Sequence, residues 1–276
     1  MERLYDDFLL LRNLPIMVKT IQNSSYDFPF RNWFPCTSVI QGVNQPLLLR
    51  IGAIADYDEV CDKLAEMALW PLVSPEEHRR ASKLSGWYPL LSGCTPFSKI
   101  YPKLPPLELV RKDFSFPFFV KGDRQTSRHS RKLCIIENES MYLQLQQLWE
   151  TDTILHWQEV AIREYVPLKA VDTSSFPDMV PLSYEFRLFF WRRQLVGWGP
   201  YWTIGKHYRL DAADREVAFT LGQHAADRVN VPFLAVDLAK TEKGEWIVIE
   251  VNDGQESGYA GVDVRRMWDS ILEIEK

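Results

Sequence analysis

The chain of 276 residues is 46% hydrophobic and 25% charged, the ordinary balance of a globular protein with one large domain or two smaller ones. Its net charge of −5 argues against a surface that coats nucleic acid, although a local basic patch is compatible with it. Four dispersed cysteines without a C-x-x-C pair argue against a structural zinc site and a disulfide framework. Arg12, Asn13 and Pro15 interrupt the apolar run near the start, so we expect no membrane span and a cytoplasmic location.

The first part of the chain has the pattern of a small α/β domain, although its first 46 residues carry no pattern strong enough to assign. The apolar segment Leu47–Asp56 predicts a strand, and a helix with apolar residues four apart follows it. Ser74 and Glu77 predict the capping box of a second helix, which Gly86 is expected to end.

A proline-rich passage from Pro96 to Pro106 predicts a boundary between an N-terminal domain, residues 1–105, and a second domain, residues 106–276. In the second domain a long helix places apolar residues four apart from Val217 to Val229. The elements predicted there are strands at 116–122, 133–136 and 157–168, a helix at 138–150, a strand pair at 184–199 bending at Arg192–Gln194, a helix at 214–229, and a hairpin at 232–252 turning near Lys243–Gly244.

Polar residues interrupt the two apolar strands of this last hairpin. Glu250 and Asn252 share a strand face because side chains alternate, and the hairpin turn lets Asp237 approach Glu250. Two carboxylates forced together repel unless a cation lies between them, and an adjacent amide completes an all-oxygen set that suits Mg²⁺. For any single acidic residue, a solvated turn at a strand end is the simpler interpretation. The triple within such apolar strands favours Mg²⁺.

Three cations, Lys121, Arg163 and Arg187, lie in strands that are too apolar to be solvated faces. A buried cation costs several kcal/mol unless it is paired, so each needs an anionic partner. Three such cations near the predicted metal site indicate a nucleotide polyphosphate site. The structural alternative is salt bridges with Glu159, Glu164 or Glu185.

A basic loop, residues 122–132, lies between two predicted strands. Its charge pattern is compatible with a lid over phosphates, with a solvated loop, or with a segment that contacts RNA. The segment Gly199–His207 resembles a P-loop but has the wrong glycine spacing and lacks the Ser or Thr. No two of the five histidines stand at metal-binding spacing, so we interpret the histidines as incidental. The basic residues of the loop are Arg124, Arg128, Arg131 and Lys132.

The order of the segments FFVKG, IREYVPL, YEFRLFFW and FLAVDLA…WIVIEVNDGQ resembles the ATP-grasp superfamily. Within it, the chain is most similar to the clade marked by two arginines and a lysine, which is itself similar to chaperones that assemble a translation initiation factor. The resemblance covers Phe114–Gly258 and, more weakly, Leu47–Tyr101. It implies a mixed α/β (α+β) ATP-grasp fold preceded by a smaller α/β domain.

The resemblance also implies roles for individual residues. Lys121 would contact the phosphates or the adenine, and Arg187 would hold the γ-phosphate or a phosphorylated intermediate, which makes these two the expected catalytic residues. The hinge that reads the adenine edge would be Arg163, Glu164, Tyr165 and Val166, and the Mg²⁺ ligands would be Asp237, Glu250 and Asn252. Two features depart from the family pattern: the phosphate loop is basic, with glycine only at its edge, and no second lysine is evident, because Lys99 and Lys103 have no support.

Most members of this superfamily are ligases, so the resemblance implies ATP and Mg²⁺ as cofactors and an unknown carboxylate and nucleophile as substrates, a peptide or protein among the candidates. ATP would phosphorylate the carboxylate, and the nucleophile would attack the acyl-phosphate. The alternative is an ATP-binding assembly chaperone for a protein partner, without ligation. A role in binding RNA through the basic loop is a weaker third possibility.

Overall fold

The computed structural model describes residues 7–18, 28–38, 45–52, 54, 56–126, 129–172 and 176–276. The first elements are β1 (Asp7–Leu11), β2 (Leu14–Val18), α1 (Phe30–Trp33), β3 (Cys36–Thr37) and β4 (Leu48–Arg50). They include a sheet of order β3-β1-β2-β4, in which only β2 and β4 are parallel. The strand predicted at Leu47–Asp56 is shorter than expected, because Gly52 leaves the extended region with a φ of 67°.

Three helices follow this sheet: α2 (Tyr57–Glu66), α3 (Pro75–Ser82) and α4 (Leu84–Leu91). The capping box is confirmed, because the Ser74 hydroxyl accepts from the Glu77 amide and the Glu77 carboxylate accepts from the Ser74 amide. The prediction that Gly86 ends this helix is wrong, since α3 ends at Ser82 and Gly86 lies within α4. A Cβ at Gly86 would lie 2.5 Å from the carbonyl oxygen of Arg79, so the glycine allows α3 and α4 to pack closely.

The second sheet has the order β5-β8-β6-β7, and its strands pair antiparallel. One face packs on the longest helix of this region, where Phe118 and Ile162 meet Tyr142 and Leu145. The first strand of this sheet, Ser98–Tyr101, lies before the predicted domain boundary but pairs with a strand that comes after it. The domain division at 105/106 stays a prediction. The elements are β5 (Ser98–Tyr101), α5 (Leu107–Val110), β6 (Phe118–Gly122), α6 (Arg131–Cys134), β7 (Ile135–Ile136), α7 (Glu139–Trp149) and β8 (Val160–Glu164).

The remaining chain forms a two-stranded sheet, a four-stranded antiparallel sheet of order β12-β11-β13-β14, and two helices. Both predicted hairpin turns are confirmed: Arg192 and Arg193 adopt left-handed φ values of 46° and 66°, and Gly244 has a φ of 90°. The elements are β9 (Ala170–Asp172), β10 (Leu182–Ser183), β11 (Glu185–Trp191), β12 (Gln194–Pro200), α8 (Ala212–Val229), β13 (Phe233–Lys240), β14 (Trp246–Asp253) and α9 (Val264–Ile274).

The two faces of the four-stranded sheet are covered differently. On β11, Phe186, Leu188 and Phe190 pack in the core that α8 covers, whereas Phe189 and Trp191 pack with α9 and the first sheet. The predicted helix α8 is confirmed, but its buried face includes Ala218, Gly222 and Ala225, whereas Val217 is 53% exposed. A Cβ at Gly222 would lie 2.7 Å from Leu188, so a small residue is needed where α8 meets β11.

The alternation of side chains along β11 places Glu185 and Arg187 on the face that α9 and the first sheet cover. Asp237 lies on the same face of β13, opposite Arg187. Glu185, Arg187 and Asp237 therefore share one face of the four-stranded sheet. The mixed α/β fold class predicted from the sequence is confirmed by the sheets and helices described above. No helix in the described part of the chain is long and apolar enough to cross a membrane.

Candidate functional site

A cavity of about 280 Å³ lies between the second sheet and the four-stranded sheet. Its polar lining includes Lys121, Arg163, Glu185, Tyr201 and Glu250, which come from both sheets and from the loop after β12. Its apolar lining includes Phe119, Ile135, Val166, Leu168, Ile247 and Ile249. An apolar cleft with a few converging charges is the usual form of a small-molecule site.

The final hairpin brings two predicted metal ligands together, because Asp237 and Glu250 are directly paired in the β13–β14 register. The register shifts between Asp237 and Leu238, so that Ile249 is an extra residue on β14. Such a bulge re-aims the side chains beside it. Asn252 lies opposite Ala235, two residues beyond Glu250, and does not contribute to the cavity lining described above.

Arg187 forms a bidentate ion pair with Asp237. Its Nε donates to Asp237 Oδ1 at 2.8 Å and its Nη2 donates to Oδ2 at 2.6 Å. A third donor, Nη1, reaches the carbonyl oxygen of Gly258 at 2.7 Å, and the guanidinium lies 5.0 Å from the centre of the Tyr201 ring. Burial opposes the charge of Arg187, but Asp237 outweighs it through charge attraction and hydrogen bonding and raises the pKa of Arg187.

Lys121 forms the second ion pair, because its Nζ donates to Glu250 Oε1. Burial would raise the pKa of Glu250, but the charge of Lys121 and its hydrogen bond outweigh burial and lower that pKa. Lys121 is 4% exposed, whereas Glu250 is half-buried where it lines the cavity. The two ion pairs stand side by side, since Asp237 and Glu250 are direct neighbours across the hairpin.

Glu185 is a third buried carboxyl group on the same face. It accepts a hydrogen bond from the Ser183 hydroxyl at 2.8 Å. Burial and, next, the charge of Asp237 raise the pKa of Glu185 to about 8. The structural alternative predicted from the sequence, an ion pair of Arg187 with Glu185, is therefore wrong, because Arg187 pairs with Asp237. We call Lys121, Glu185, Arg187, Asp237 and Glu250 the charged cluster.

Arg163 also lines the cavity, but neutral acceptors occupy its guanidinium. Its three nitrogens donate to the Ser98 hydroxyl at 3.0 Å, the Ile249 carbonyl at 2.8 Å and the Thr95 hydroxyl at 2.6 Å. Burial lowers the pKa of Arg163 to about 10. These bonds join β8 to β5 and β14, so Arg163 links the two sheets that form the cavity.

The predicted hinge lies at the cavity as well. Glu164, Tyr165 and Val166 follow Arg163 along the lining. The amide of Glu164 donates to the carbonyl of Phe97 at 2.8 Å. This bond holds the start of the hinge against the residue that precedes β5. The structure thus places all four residues of the predicted hinge at the cavity.

The predicted metal ligands on β13 and β14 fit a magnesium ion chemically. Asp237, Glu250 and Asn252 supply two carboxylates and an amide oxygen, which are the hard ligands that Mg²⁺ prefers. Within the described ranges, no group of three or more His, Cys, Asp or Glu side chains is arranged to hold a metal. Both carboxylates are bonded to cations, so a metal would enter by replacing Arg187 and Lys121 as their partners.

Comparison with known families decides the membership of the chain. The ATP-grasp domain family described as family 3 of the clade marked by two arginines and a lysine matches residues 115–271. The chain belongs to this family. The match confirms the resemblance drawn from the strand motifs, and it contains every residue of the charged cluster.

Solved structures share the ATP-grasp fold at low sequence identity. A RimK domain ATP-grasp protein from Sphaerobacter thermophilus DSM 20745 is 14% identical, with a TM-score of 0.54 over 83% of this chain and 80% of that one. D-alanine–D-alanine ligase from Bacillus anthracis, complexed with ATP, is 19% identical, with a TM-score of 0.55 over 82% and 76%. VanG D-Ala:D-Ser ligase from Enterococcus faecalis is 12% identical, with a TM-score of 0.57 over 83% and 72%. A search of curated protein sequences found no match.

The basic loop of this ATP-grasp domain does not present its described arginines to the cavity. Arg124 forms a bidentate ion pair with Glu256, at 2.8 and 2.7 Å, and Arg131 pairs with Glu137. Arg128 lies outside the described residues. Among the described residues of the loop, Thr126 and His129 line the cavity.

Several residues of the site have no signal in the sequence pattern. His129 lines the cavity together with Tyr201 and Trp202, which belong to the segment that resembles a P-loop. From their spacing the histidines are interpreted as incidental; the structure places His129 at the cavity and buries His78, which is 3% exposed and bonded to Asp253. Loops bring these residues together from distant parts of the chain, so no local spacing signals them.

A second buried polar group lies just beyond β14, and we call it the closed cluster: His78, Arg124, Asp253 and Glu256. His78 Nδ1 is 3.0 Å from Asp253 Oδ2, and the Ser82 hydroxyl donates to Glu256 at 3.2 Å. Nearby, Arg50 donates to the carbonyl oxygens of Gly254, Gln255 and Ser257. These bonds fasten the loop after the candidate metal ligands to α3 and β4.

Proposed function

We propose that the protein is an ATP- and Mg²⁺-dependent ligase that joins a carboxylate to an amine or similar nucleophile through an acyl-phosphate. The observation that carries this proposal is two adjacent ion pairs: Lys121–Glu250, which lines a cavity with an apolar lining, and Arg187–Asp237 directly beside it. Membership of the ATP-grasp family and the shared fold of the ligases support the proposal.

In each of the two ion pairs, the carboxylate could bind a metal ion and the cation could bind a phosphate. In the nucleotide-bound state, Asp237 and Glu250 would hold Mg²⁺, and Arg187 and Lys121 would turn to phosphate oxygens. Neither cation is then left buried without a counter-charge, which would cost several kcal/mol. Bound Mg²⁺ supplies neutralisation of the phosphate charge, and Asn252 would add an amide oxygen to its ligands.

The apolar lining of the cavity would bind the adenine base of the nucleotide. Phe119, Ile135 and Ile247 provide surfaces for a planar base, and the backbone of Glu164–Val166 would read its edge. ATP binding on such a surface is stabilised by removing the apolar base from water. Arg163 would keep the two walls at a fixed separation through its bonds to both sheets.

Arg187 lies beside the cavity, with its guanidinium against the Tyr201 ring that lines it, and we assign it the stabilisation of the transferred phosphoryl group. Its planar guanidinium can bind two oxygens at once, whereas a lysine presents a point charge. In the transfer, the substrate carboxylate oxygen attacks the γ-phosphorus and the bond to ADP breaks. Lys121 and Arg187 would stabilise the negative charge that spreads over the phosphoryl oxygens. The apolar lining of the cavity would limit the access of water to the acyl-phosphate.

The substrates are an unknown carboxylate and an unknown nucleophile, and we include a peptide or protein among the candidates. We place the reaction in the cytoplasm, where ATP is abundant. The four cysteines are free, in agreement with a reducing compartment.

The test follows ADP release. The protein and Mg·ATP are incubated with the small-molecule and the macromolecular fractions of a cell extract separately, and product masses are recorded. A ligase releases ADP only when both substrates are present and yields a condensation product. The variant R187K should abolish this release, whereas the matched surface variant R192K, which alters the exposed pair with Glu275, should retain it.

The alternative, an assembly chaperone, gives a different result. It would retain one protein partner in an ATP-dependent way, without a covalent product. Stable capture of that kind, with no condensation product from any fraction, would overturn the ligase proposal. A macromolecular fraction that yields a product would instead identify a peptide or protein substrate.

A further inference from the structure

His129 occupies an unusual position at the end of the basic loop. Its backbone has a φ of 54°, in the left-handed region, which is uncommon for residues other than glycine, although asparagine, aspartate and histidine are enriched there. Its carbonyl oxygen accepts from the Val180 amide at 2.9 Å, and the next residue, Ser130, bridges to Met179. The surrounding chain thus holds His129 in a conformation of local strain, which is a recurrent feature of functional sites.

The imidazole lies at the cavity, and its hydrogen-bond contacts with other described residues are long. Nδ1 is 3.4 Å from the Thr126 hydroxyl, and Nε2 is 3.5 Å from the Tyr201 hydroxyl. The ring centre is 5.1 Å from that of Trp202, in an edge-to-face arrangement. Contacts at these distances are weak, so a ligand oxygen can replace them at little cost.

His129 is also close to the charged cluster. The Tyr201 ring that contacts His129 is the ring against which the Arg187 guanidinium lies. The charged groups that act on the imidazole are Lys121 on β6, Arg187 on β11 and Glu250 on β14. Burial lowers the pKa of His129, Lys121 and Arg187 lower it further, and Glu250 opposes them. The imidazole of the free protein is therefore neutral near pH 7.

A polyphosphate would reverse this balance. Its negative charge favours the imidazolium, which can donate from either ring nitrogen to a phosphate oxygen as a charge-assisted hydrogen bond. The two described arginines of the loop are engaged elsewhere, because Arg124 is bonded to Glu256 and Arg131 to Glu137.

We propose that His129 is a phosphate-contacting residue of the nucleotide site, and that its imidazole takes up a proton when the terminal phosphates bind. The proposal rests on the proposed ATP site and extends it. The proton comes from solvent and adds to a neutral ring nitrogen, and no other bond changes. In this protein the imidazole supplies the positive charge over the phosphates, in a loop without a glycine-rich sequence.

The sign of the pH effect follows from the two states. His129 has a lower pKa in the free protein than in the complex, so binding takes up a proton between those two pKa values. Nucleotide affinity should therefore increase as the pH falls through this window and level off below the pKa of the free protein. The phosphates themselves titrate too, but that contribution is the same in a variant without the imidazole.

The test is calorimetry with Mg²⁺ and a non-hydrolysable ATP analogue near neutral pH, in two buffers that differ in ionisation enthalpy. The variant H129N keeps a polar side chain and tolerates a left-handed φ, but it does not titrate. H156N is the matched control, because His156 is exposed and bonds only within its own turn. We expect proton uptake in the wild type and in H156N, none in H129N, and about three- to tenfold weaker binding by H129N at the acidic end of the window.

Equal proton uptake and equal affinity in the wild type and H129N would overturn the role of His129 while leaving the ATP site intact. Absence of binding by the wild type would instead overturn the proposed function. If H129N does not fold, the histidine ring resonances of the wild type decide the question by NMR. An imidazole whose pKa rises when the analogue binds, but not when AMP binds, supports the proposal, and unchanged ring pKa values contradict it.

Discussion

The charged cluster and the closed cluster meet on strand β14. Glu250 belongs to the first cluster, and Asp253, three residues further along the chain, belongs to the second. Both are buried and both contain ion pairs of arginine with a carboxylate. They differ in what surrounds them. Glu250 and Lys121 line the cavity, whereas Asp253 is 0% exposed and bonds to His78 and to residues of its own loop.

This difference indicates which ion pairs serve a ligand. In the closed cluster every charge is met by a partner from α3 or the loops, and the network fastens residues 253–258 in place. In the charged cluster three carboxyl groups face two cations beside an open cavity, so the partners can be exchanged. Burial and pairing alone do not identify a binding site, because both clusters have them; the cavity beside one of them does.

The largest expected effect is on stability, in the closed cluster. Arg124→Ala leaves Glu256 buried without a counter-charge, so we expect the free energy of unfolding to fall by about 3 kcal/mol or more. Nucleotide affinity should change little at temperatures where the variant is folded. Denaturant unfolding measures the first quantity. Arg79→Ala, which breaks the exposed pair with Asp58, is the control and should cost less than about 1 kcal/mol.

The same kind of change in the charged cluster should act on binding as well. Asp237→Asn removes the counter-charge of Arg187 and one predicted metal ligand, so we expect a loss of stability of about 1–3 kcal/mol. The metal-dependent part of nucleotide binding should disappear. Glu250→Gln should behave similarly, with Lys121 as the unpaired cation. Titration of each variant with ATP, with and without Mg²⁺, checks this, and wild-type binding by both would remove the metal assignment.

Arg187→Lys keeps the charge and changes its geometry. A lysine does not bind two phosphate oxygens in a plane, so we expect a loss of more than about tenfold in nucleotide affinity or turnover. Arg192→Lys on the surface should be neutral. If R187K binds like the wild type, Arg187 belongs with the closed cluster as a structural residue.

The smallest expected effect is that of Glu185 on the pH dependence of the free energy of unfolding. Its pKa in the folded protein is raised to about 8, above its value in the unfolded chain, so its contribution to stability is lost as the pH rises toward 8. Glu185→Gln removes this dependence. Between pH 7 and pH 8 the wild type should lose about 1 kcal/mol relative to E185Q, and the difference should level off above the folded pKa. Parallel stability curves for the two proteins would contradict the raised pKa.

Local signals predicted much of the site. The approach of Asp237 to Glu250 follows from one hairpin turn and the alternation of side chains, both of which are local. Lys121 and Arg187 stand out because a charge within an apolar strand needs a partner. Sequence alone did not identify those partners, since Arg187 meets Asp237 only because β11 lies beside β13.

The rest of the site depends on long-range packing. His129, Tyr201 and Trp202 come from two loops that meet only in the folded chain, and the closed cluster joins residues up to 178 positions apart, from His78 to Glu256. Packing also explains the wrong prediction of a helix end. Gly86 is needed where α3 and α4 approach each other, and it lies within α4. Such contacts leave no periodic pattern in the sequence.

The central claim is that Mg²⁺ and ATP replace the ion pairs of the charged cluster together. Thermal unfolding of the wild type with Mg²⁺ alone, ATP with EDTA, and Mg·ATP tests it most directly. Mg·ATP at a hundredfold excess over its dissociation constant should stabilise the protein by about 2.7 kcal/mol, with a corresponding rise in Tm, and either component alone should give far less. No shift with Mg·ATP at millimolar concentration, or equal shifts with ATP in EDTA and with Mg·ATP, would contradict the account.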